Sequence, residues 1–578
     1  MKETYAVTRV WLAVVSLAGF AAAFGTFCFP ASVPVGGEFP NTLSVNIRIP
    51  HGGRVGIGFE FGASSDESLY RYIVLAPSNQ FNRVALPLPA GTITVLRLML
   101  PGNDPRASAR DARVIDAQGR MLWQFADSDI RADGRITLRA NLRLPTDPHR
   151  RDRQVARERS AAVLLAMTEA IILMTVLRWR NLALVSPLWF ARIAISVAAA
   201  SVLFSRRPGF FVQPQFWAED GAVYFLGRTK GWHGLWETQG NYLVLVPRTI
   251  AAMANLAPIW YAPILYAAFA TVVCLATVIK AASPRVGLPF PALAGLAVVF
   301  VPNMDEITAN LTNLQWFGAV ILVLVCLSKP PSNLRETVRD SVALGIFGLT
   351  GPYIIFALPL LFWRALHARS FARWMLPALG VGLSLLQYRA YSESHPVLFS
   401  GDLPSFVPFL AAAGYRTGGQ LFRLMPAPLV TNPIPWGLGG LALFASIWLV
   451  FPLRPRGEGE DIRSKLAWMA LAIIGAGFLR YINLANQFFE QLFITRYFYF
   501  PLLCAAWLLL GGVAMPGLTR WIAAIGLFAA IMCNVSNYRM APYTDLHWPH
   551  YALAMERRQP TLVPVNPPAW FFHFAGGR

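Results

Sequence analysis

Apolar stretches, each close to the length a bilayer core demands, recur along this chain and restrict its fold more than any motif does. A helix needs roughly 17–25 mostly apolar residues to cross a membrane, and in lipid only structures that satisfy their own backbone survive. Such runs cover about 9–28, 159–178, 186–205, 257–279, 287–302, 315–328, 373–391, 435–453, 464–480, 497–513 and 518–536. The chain is 55% hydrophobic and 14% charged, with a mean hydropathy of +0.46. A soluble protein of 578 residues needs no such apolar excess. The pattern predicts an all-α polytopic membrane protein of about eleven crossings.

Charge orients it. The net charge of +20 would suggest nucleic acid in a soluble protein. Here the basic residues gather in short loops: Lys280 and Arg285; Lys329, Arg335 and Arg339; Arg454, Arg456, Arg463 and Lys465. With the N-terminus inside, all three clusters fall on the cytoplasmic side, and insertion topology and membrane lipid account for them without nucleic acid. The five cysteines lie in or beside apolar runs, so neither a disulfide framework nor a cysteine metal site is expected.

Four regions follow. Residues 1–28 read as an uncleaved transmembrane anchor, since no clear small-residue cleavage site ends the run. Residues 29–156 are polar and strand-like. Thr42–Ile49 and Arg135–Leu142 alternate with period two, and Gln118-Gly119 separates two apolar runs as a hairpin turn would. We expect a small extracytoplasmic β-sandwich inserted between the first two spans, either a glycan binder or a cap on the membrane part. Residues 157–536 form the polytopic core, and 537–578 an extracytoplasmic tail. Within the core, 340–363 is apolar but has basic residues at both ends and Gly348-Leu-Thr-Gly-Pro-Tyr353 in its middle. We read a pair of short half-helices returning to the cytoplasmic side, with a single proline-kinked span as the alternative.

On this topology the unusual polar residues collect on the outer face. Trp217-Ala-Glu-Asp-Gly221 places Glu219 and Asp220 just outside a span. Asp305-Glu306 is followed by Asn310, Asn313, Gln315 and Trp316, and Arg496-Tyr497 opens a later span. Arg248, Arg389 and Arg480 lie at similar depth. Sugar transfer from a lipid phosphate needs a carboxylate to take the acceptor's proton and cations to stabilise the departing phosphate. Amides and aromatic rings suit a sugar. The bland readings are a solvated acidic loop with a helix-capping Asp220, and an interfacial anchor at Arg496.

Residues 186–570 resemble bacterial GT-C-type polytopic glycosyltransferases. The resemblance rests on Trp217–Gly221, Gly240–Arg248, Asn310–Trp316, Gly348–Pro352, Arg496-Tyr497 and the proline-rich tail near Trp570. It implies a GT-C-like core in a bacterial inner membrane, with its active site facing the periplasm. It implies Asp220 as catalytic base, with Glu219 its rival. Arg496, Arg248 and Tyr497 would meet a polyprenyl-phosphate sugar donor. Glu306, Asn310, Asn313, Trp316 and Trp217 would meet the sugar or a glycan or lipid-linked acceptor. Asp220 with Glu306 could hold Mg²⁺ or Mn²⁺. The resulting expectation is an inverting glycosyltransferase. A lipid-linked glycan flippase, or a glycan polymerase or ligase using a lipid diphosphate, stands beside it.

Overall fold

The structure is a computed structural model. It describes residues 2–28, 41–51, 53–61, 69–75, 77–88, 91–100, 106–116, 120–129, 135–136, 142–144, 150–178, 187–302, 304, 306–366, 374–393, 406–424, 434–454, 462–480, 492–535, 538–540, 543, 546–567 and 570–575.

Helices dominate. Among the described residues, six are long and apolar enough to cross a membrane: Val10–Cys28, Asp152–Arg178, Trp189–Arg206, Ile259–Ala281, Thr495–Val513 and Leu518–Val535. Other expected spans are shorter than the sequence suggests. The run 287–302 narrows to the ten-residue helix Pro291–Phe300. Phe290 is left-handed (φ 48°) ahead of Pro291, and Val301 is extended before Pro302. At 1.5 Å per residue this helix rises only about 15 Å, half a bilayer core. The run 315–328 becomes Gln315–Leu327, with every side chain buried. The Tyr499–Val513 helix is likewise enclosed. At the periphery, Leu164, Met167, Ile171 and Met174 form one exposed apolar stripe, and Trp521, Ile525, Phe528 and Met532 form another. Helical spacing keeps each stripe on one face, as a lipid contact would need.

The interrupted segment is a broken helix pair, Leu334–Gly348 and Tyr353–Leu366. Both ends return to one place. Asp340, fully buried in the first helix, accepts two hydrogen bonds from Arg285 (2.9 and 2.8 Å) and one from Arg364 of the second (3.3 Å). Lys280 stands 3.7 Å away. Basic residues from two of the segments that the sequence puts on one side, Lys280 with Arg285 and then Arg364, therefore meet around a single carboxylate, and Lys329 O accepts from both guanidiniums (2.7 and 2.9 Å). The break between the helices lies at the opposite end. There Gly351 N–H donates to Leu243 O (2.8 Å), and Gly351 (φ 93°) sits where a Cβ would meet Gln315 Oε1 at 2.8 Å.

Residues of the β region form two sheets. One has six strands in the order Trp570–Phe574, Thr561–Val565, Ser78–Leu88, Asn41–Ile49, Ser108–Ile115, Met121–Gln124. The other runs Leu69–Leu75, Gly53–Phe61, Gly91–Met99, Arg135–Ile136, with Leu142–Leu144 also on Gly91–Met99. Leu43, Val45, Ile47 and Ile49 point to one face at period two and share a core with Ile93, Leu96 and Leu98 of the second sheet. The Ser108–Ile115 and Met121–Gln124 strands pair antiparallel, as the expected hairpin requires; its turn, 117–119, lies outside the described residues.

The tail departs from expectation. Read as a separate segment, it instead supplies two strands to the six-stranded sheet, Thr561 lying parallel to Ala85. His550, in the Trp548–Glu556 helix, shares a 2.6 Å hydrogen bond with Thr42. Between the Met375–Glu393 and Ile434–Val450 helices lies a further helix, Phe406–Gly414, continued by the turn Tyr415–Gly419. Gly414 and Gly418 touch the backbone around Gly437 and Gly440, an approach only glycine allows.

Candidate functional site

The acidic stretch is built by long-range contacts. Ala218 is left-handed (φ 42°), and Asp220 opens a wide helical turn, Asp220–Phe225. The tail holds it in place: Asn566 N–H donates to Phe216 O (3.0 Å), and Ala218 N–H donates to Asn566 O. Gly221 packs so tightly on the tail that a Cβ there would lie 2.5 Å from the Phe572 ring and 2.9 Å from Val565. Trp217, half-buried, stacks on Tyr543 with centroids 5.0 Å apart.

The two carboxylates have different surroundings. Asp220 is 2% exposed. Thr312 donates to its Oδ1 twice, from the backbone N–H (2.8 Å) and from Oγ1 (2.7 Å). Burial pushes the Asp220 carboxyl up to about 7, the Thr312 bonds pull it back in part, and the neighbouring Glu219 charge adds to the rise. Glu219 is half-buried and has no hydrogen-bond or ion-pair partner among the described residues.

One loop joins this pair to the second cluster. Glu306, six residues before Thr312 in the same loop, is buried, with Arg496 Nη1 3.7 Å from its Oε1. Thr495 Oγ1 and Arg496 N–H donate to its Oε2, each at 3.3 Å. The amides of Asn310 and Asn313 both donate to Glu306 O (2.6 and 2.8 Å), so they hold the loop's shape. The same loop thus meets Asp220 at Thr312 and Arg496 at Glu306.

Several expected ligands have other work. Arg248, 5% exposed, donates to Val223 O (3.2 Å) and sits 3.5 Å from Glu237. It braces the turn that starts at Asp220 and is too enclosed to meet a lipid phosphate as expected. Trp316, 2% exposed, lies between Tyr353 and Tyr497 at 5.3 and 4.9 Å; it is core, not a platform for a sugar. Tyr497 is correspondingly occupied as its edge-on partner. Asn310 and Asn313 are likewise committed to their own loop. Asp305 lies outside the described residues, as does the side chain of Arg480. Among the described residues no three His, Cys, Asp or Glu side chains come together as a metal site. Of the two carboxylates named for a metal, Asp220 accepts from Thr312 at Oδ1 and Glu306 faces Arg496.

Sequence reading missed Thr312, Glu237 and Gln387. Gln387 accepts from Leu243 N–H (2.9 Å) and donates to Gly348 O (3.1 Å) and Gly351 O (3.0 Å), clasping the helix break to the loop before Arg248. The signal for Thr312 lay in plain view as the last residue of Asn310-Leu-Thr312, a glycosylation sequon by pattern; with Asn310 buried it is a structural segment.

Fold and site together define a chain of apolar helices capped at one end by a carboxylate–guanidinium cluster and a β region. No protein-family model, curated protein or solved structure matches it.

Proposed function

We propose that this protein is an inverting membrane glycosyltransferase that moves a sugar from a polyprenyl phosphate to a saccharide or lipid-linked acceptor. The observation that carries the reading is the single loop linking a carboxyl that titrates near neutrality, Asp220, to a partly exposed guanidinium, Arg496. A general base works best with a pKa near the working pH. Asp220 takes the proton from the acceptor hydroxyl at Oδ2, since Thr312 holds Oδ1. Glu219, reachable and unpartnered among the described residues, orients that hydroxyl. The new bond forms between acceptor oxygen and the sugar's anomeric carbon on the face opposite the departing lipid phosphate. The bond from that carbon to phosphate oxygen breaks, and the phosphate leaves with the electron pair. Arg496 stabilises it, its long 3.7 Å contact with Glu306 yielding to a closer phosphate.

In this reading the six long helices and the shorter apolar ones together complete a GT-C-like core of about eleven crossings, with a β-sandwich outside. The basic face around Asp340 is cytoplasmic, and the acidic end faces the periplasm of a bacterial inner membrane. The test is transfer of labelled sugar from polyprenyl phosphate by purified protein in nanodiscs. Absence of transfer from both monophosphate and diphosphate donors would reject an enzyme.

One observation favours the flippase alternative. Glu169 is fully buried within the Asp152–Arg178 helix, with Ser201 Oγ 3.4 Å from Oε1 and Gly19 of the anchor helix packed against it. Ionisable groups at such a depth often mark a transport path. Movement of lipid-linked sugar across sealed vesicles, abolished by Glu169→Gln and untouched by Asp220→Asn, would establish that reading.

A further inference from the structure

A shallow, open depression of about 410 Å³ lies between the end of the Met375–Glu393 helix and the hairpin Thr238–Gln239/Tyr242–Leu243, lined by Trp236, Glu237, Thr238, Ala390 and Glu393. Its walls are set by backbone geometry. Gly240 (φ 59°) and Asn241 (φ 72°) make the left-handed turn that the hairpin needs. Gln387, one turn before Ala390 on the same helix face, fixes Leu243 through its backbone N–H. The depression is thus the outward continuation of that clasp, open enough to hold one face of a ligand rather than enclose it.

The lining chemistry narrows the ligand. Trp236 is 43% exposed and meets Trp232 edge-on at 6.0 Å, so a broad apolar ring is held open to solvent. Glu237 is bridged to Lys230 at 2.7 Å and to Arg248 at 3.5 Å; Glu393 Oε1 is bridged to Arg389 at 2.8 Å. A cation entering here finds the carboxylates already answered. For a phosphate, Lys230, Arg248 and Arg389 are each already bridged to a carboxylate here, which weakens their pull on an anion. A neutral polyol suits the site, its C–H face on the indole and its hydroxyls donating to carboxylate oxygens and to the Thr238 hydroxyl.

We propose that this depression is a saccharide-binding subsite for one or two sugar units, with Trp236 as platform and Glu393 as hydroxyl acceptor. Its meaning as the acceptor's seat rests on the transferase reading; the binding does not. Arg248 provides the link, holding Glu237 at the depression and Val223 O in the turn that begins at Asp220. An acceptor seated here is thus tied, through Arg248, to the turn that Asp220 opens, while donor phosphate is kept at Arg496.

The test is saturation-transfer NMR on the full chain in nanodiscs, with glucose, galactose, mannose, rhamnose, N-acetylglucosamine and N,N′-diacetylchitobiose as probes. At least one should show transfer to its ring protons above empty nanodiscs. Trp236→Ala should weaken that binding by about tenfold, the loss expected for one stacking face, and Glu393→Gln by a few-fold. Trp189→Ala, an exposed tryptophan at the start of another helix, should leave it unchanged. No signal from any probe, or equal signals from Trp236→Ala and Trp189→Ala, overturns the subsite and returns Trp236 to an interfacial aromatic. Saccharide binding lost in Trp236→Ala in a protein that transfers no sugar keeps the subsite and removes the transferase. Sugar transfer with binding intact in Trp236→Ala removes the subsite alone.

Discussion

Asp220→Asn should make the protein more stable above neutral pH and silence it. The Asp220 carboxyl titrates at about 7 in the fold against 3.8 ordinarily, burial being the main cause. Below about pH 4 the group is neutral folded and unfolded alike, and it costs nothing. As pH rises toward 7 the unfolded chain releases the proton first, so stability falls across that window and reaches its minimum above 7. The gap, at about 1.4 kcal/mol per pH unit, amounts to about 4 kcal/mol. Asparagine keeps an oxygen for both Thr312 bonds and carries no charge, so the variant escapes the penalty. Thermal unfolding of both proteins in nanodiscs should give similar Tm values near pH 4 and a variant several degrees higher at pH 8. Glu219→Gln, at a half-buried site with no partner among the described residues, should show no comparable pH-dependent gap. Sugar transfer by Asp220→Asn should fall by about 10²–10⁴. A Tm difference that does not change between pH 4 and 8 would refute the buried-carboxyl argument. Wild-type transfer by both single variants and their double would reduce the whole stretch to a loop.

Three further outcomes are expected. Arg496→Lys should fold normally yet lose about tenfold or more in transfer, because a point charge replaces a fork that can hold two phosphate oxygens; unchanged donor affinity in Arg496→Ala would return it to an interfacial anchor. Gly221→Val should push Phe572 and Val565 away, cost about 1–3 kcal/mol and expose the strands 561–574 to limited proteolysis, whereas a wild-type cleavage pattern would contradict the packing. Cysteines placed at Ser332 and Thr229, both exposed, should label from opposite sides of sealed cells, Thr229→Cys from outside; labelling of both from one side would invert the two faces.

Local patterns made part of this legible in sequence. Glu219 and Asp220 stand out as acids beside a span, whatever they pack on. The basic clusters around Lys280, Lys329 and Arg364 show where helices end, and Asp340 proves to be the common partner of Lys280, Arg285 and Arg364. The alternation of Leu43, Val45, Ile47 and Ile49 gives their strand directly. What remained hidden depends on distant contacts. Thr312 reaches Asp220 across 92 positions. The strand Thr561–Val565 carries Pro564, which argues against a strand, and its residues are buried without alternation. An aromatic beside polar residues, such as Trp316, reads equally well as a platform or as core until its neighbours are known.

The tail strands also bear on how the protein is made. The strand carrying Ala85 and the Phe216–Asp220 segment are synthesised hundreds of residues before Thr561–Asn566, which pairs with both. While the ribosome is still delivering helices to the translocon, the sheet lacks its Thr561–Phe574 edge and the acidic turn lacks its pin. The chain must carry an unfinished sheet through insertion of every long helix, a contact order that favours slow final assembly. A product truncated before Thr561 would insert its helices and still never organise the turn at Asp220. The strand Thr561–Val565 with Asn566 therefore withholds the finished turn at Asp220 until that part of the chain has been made.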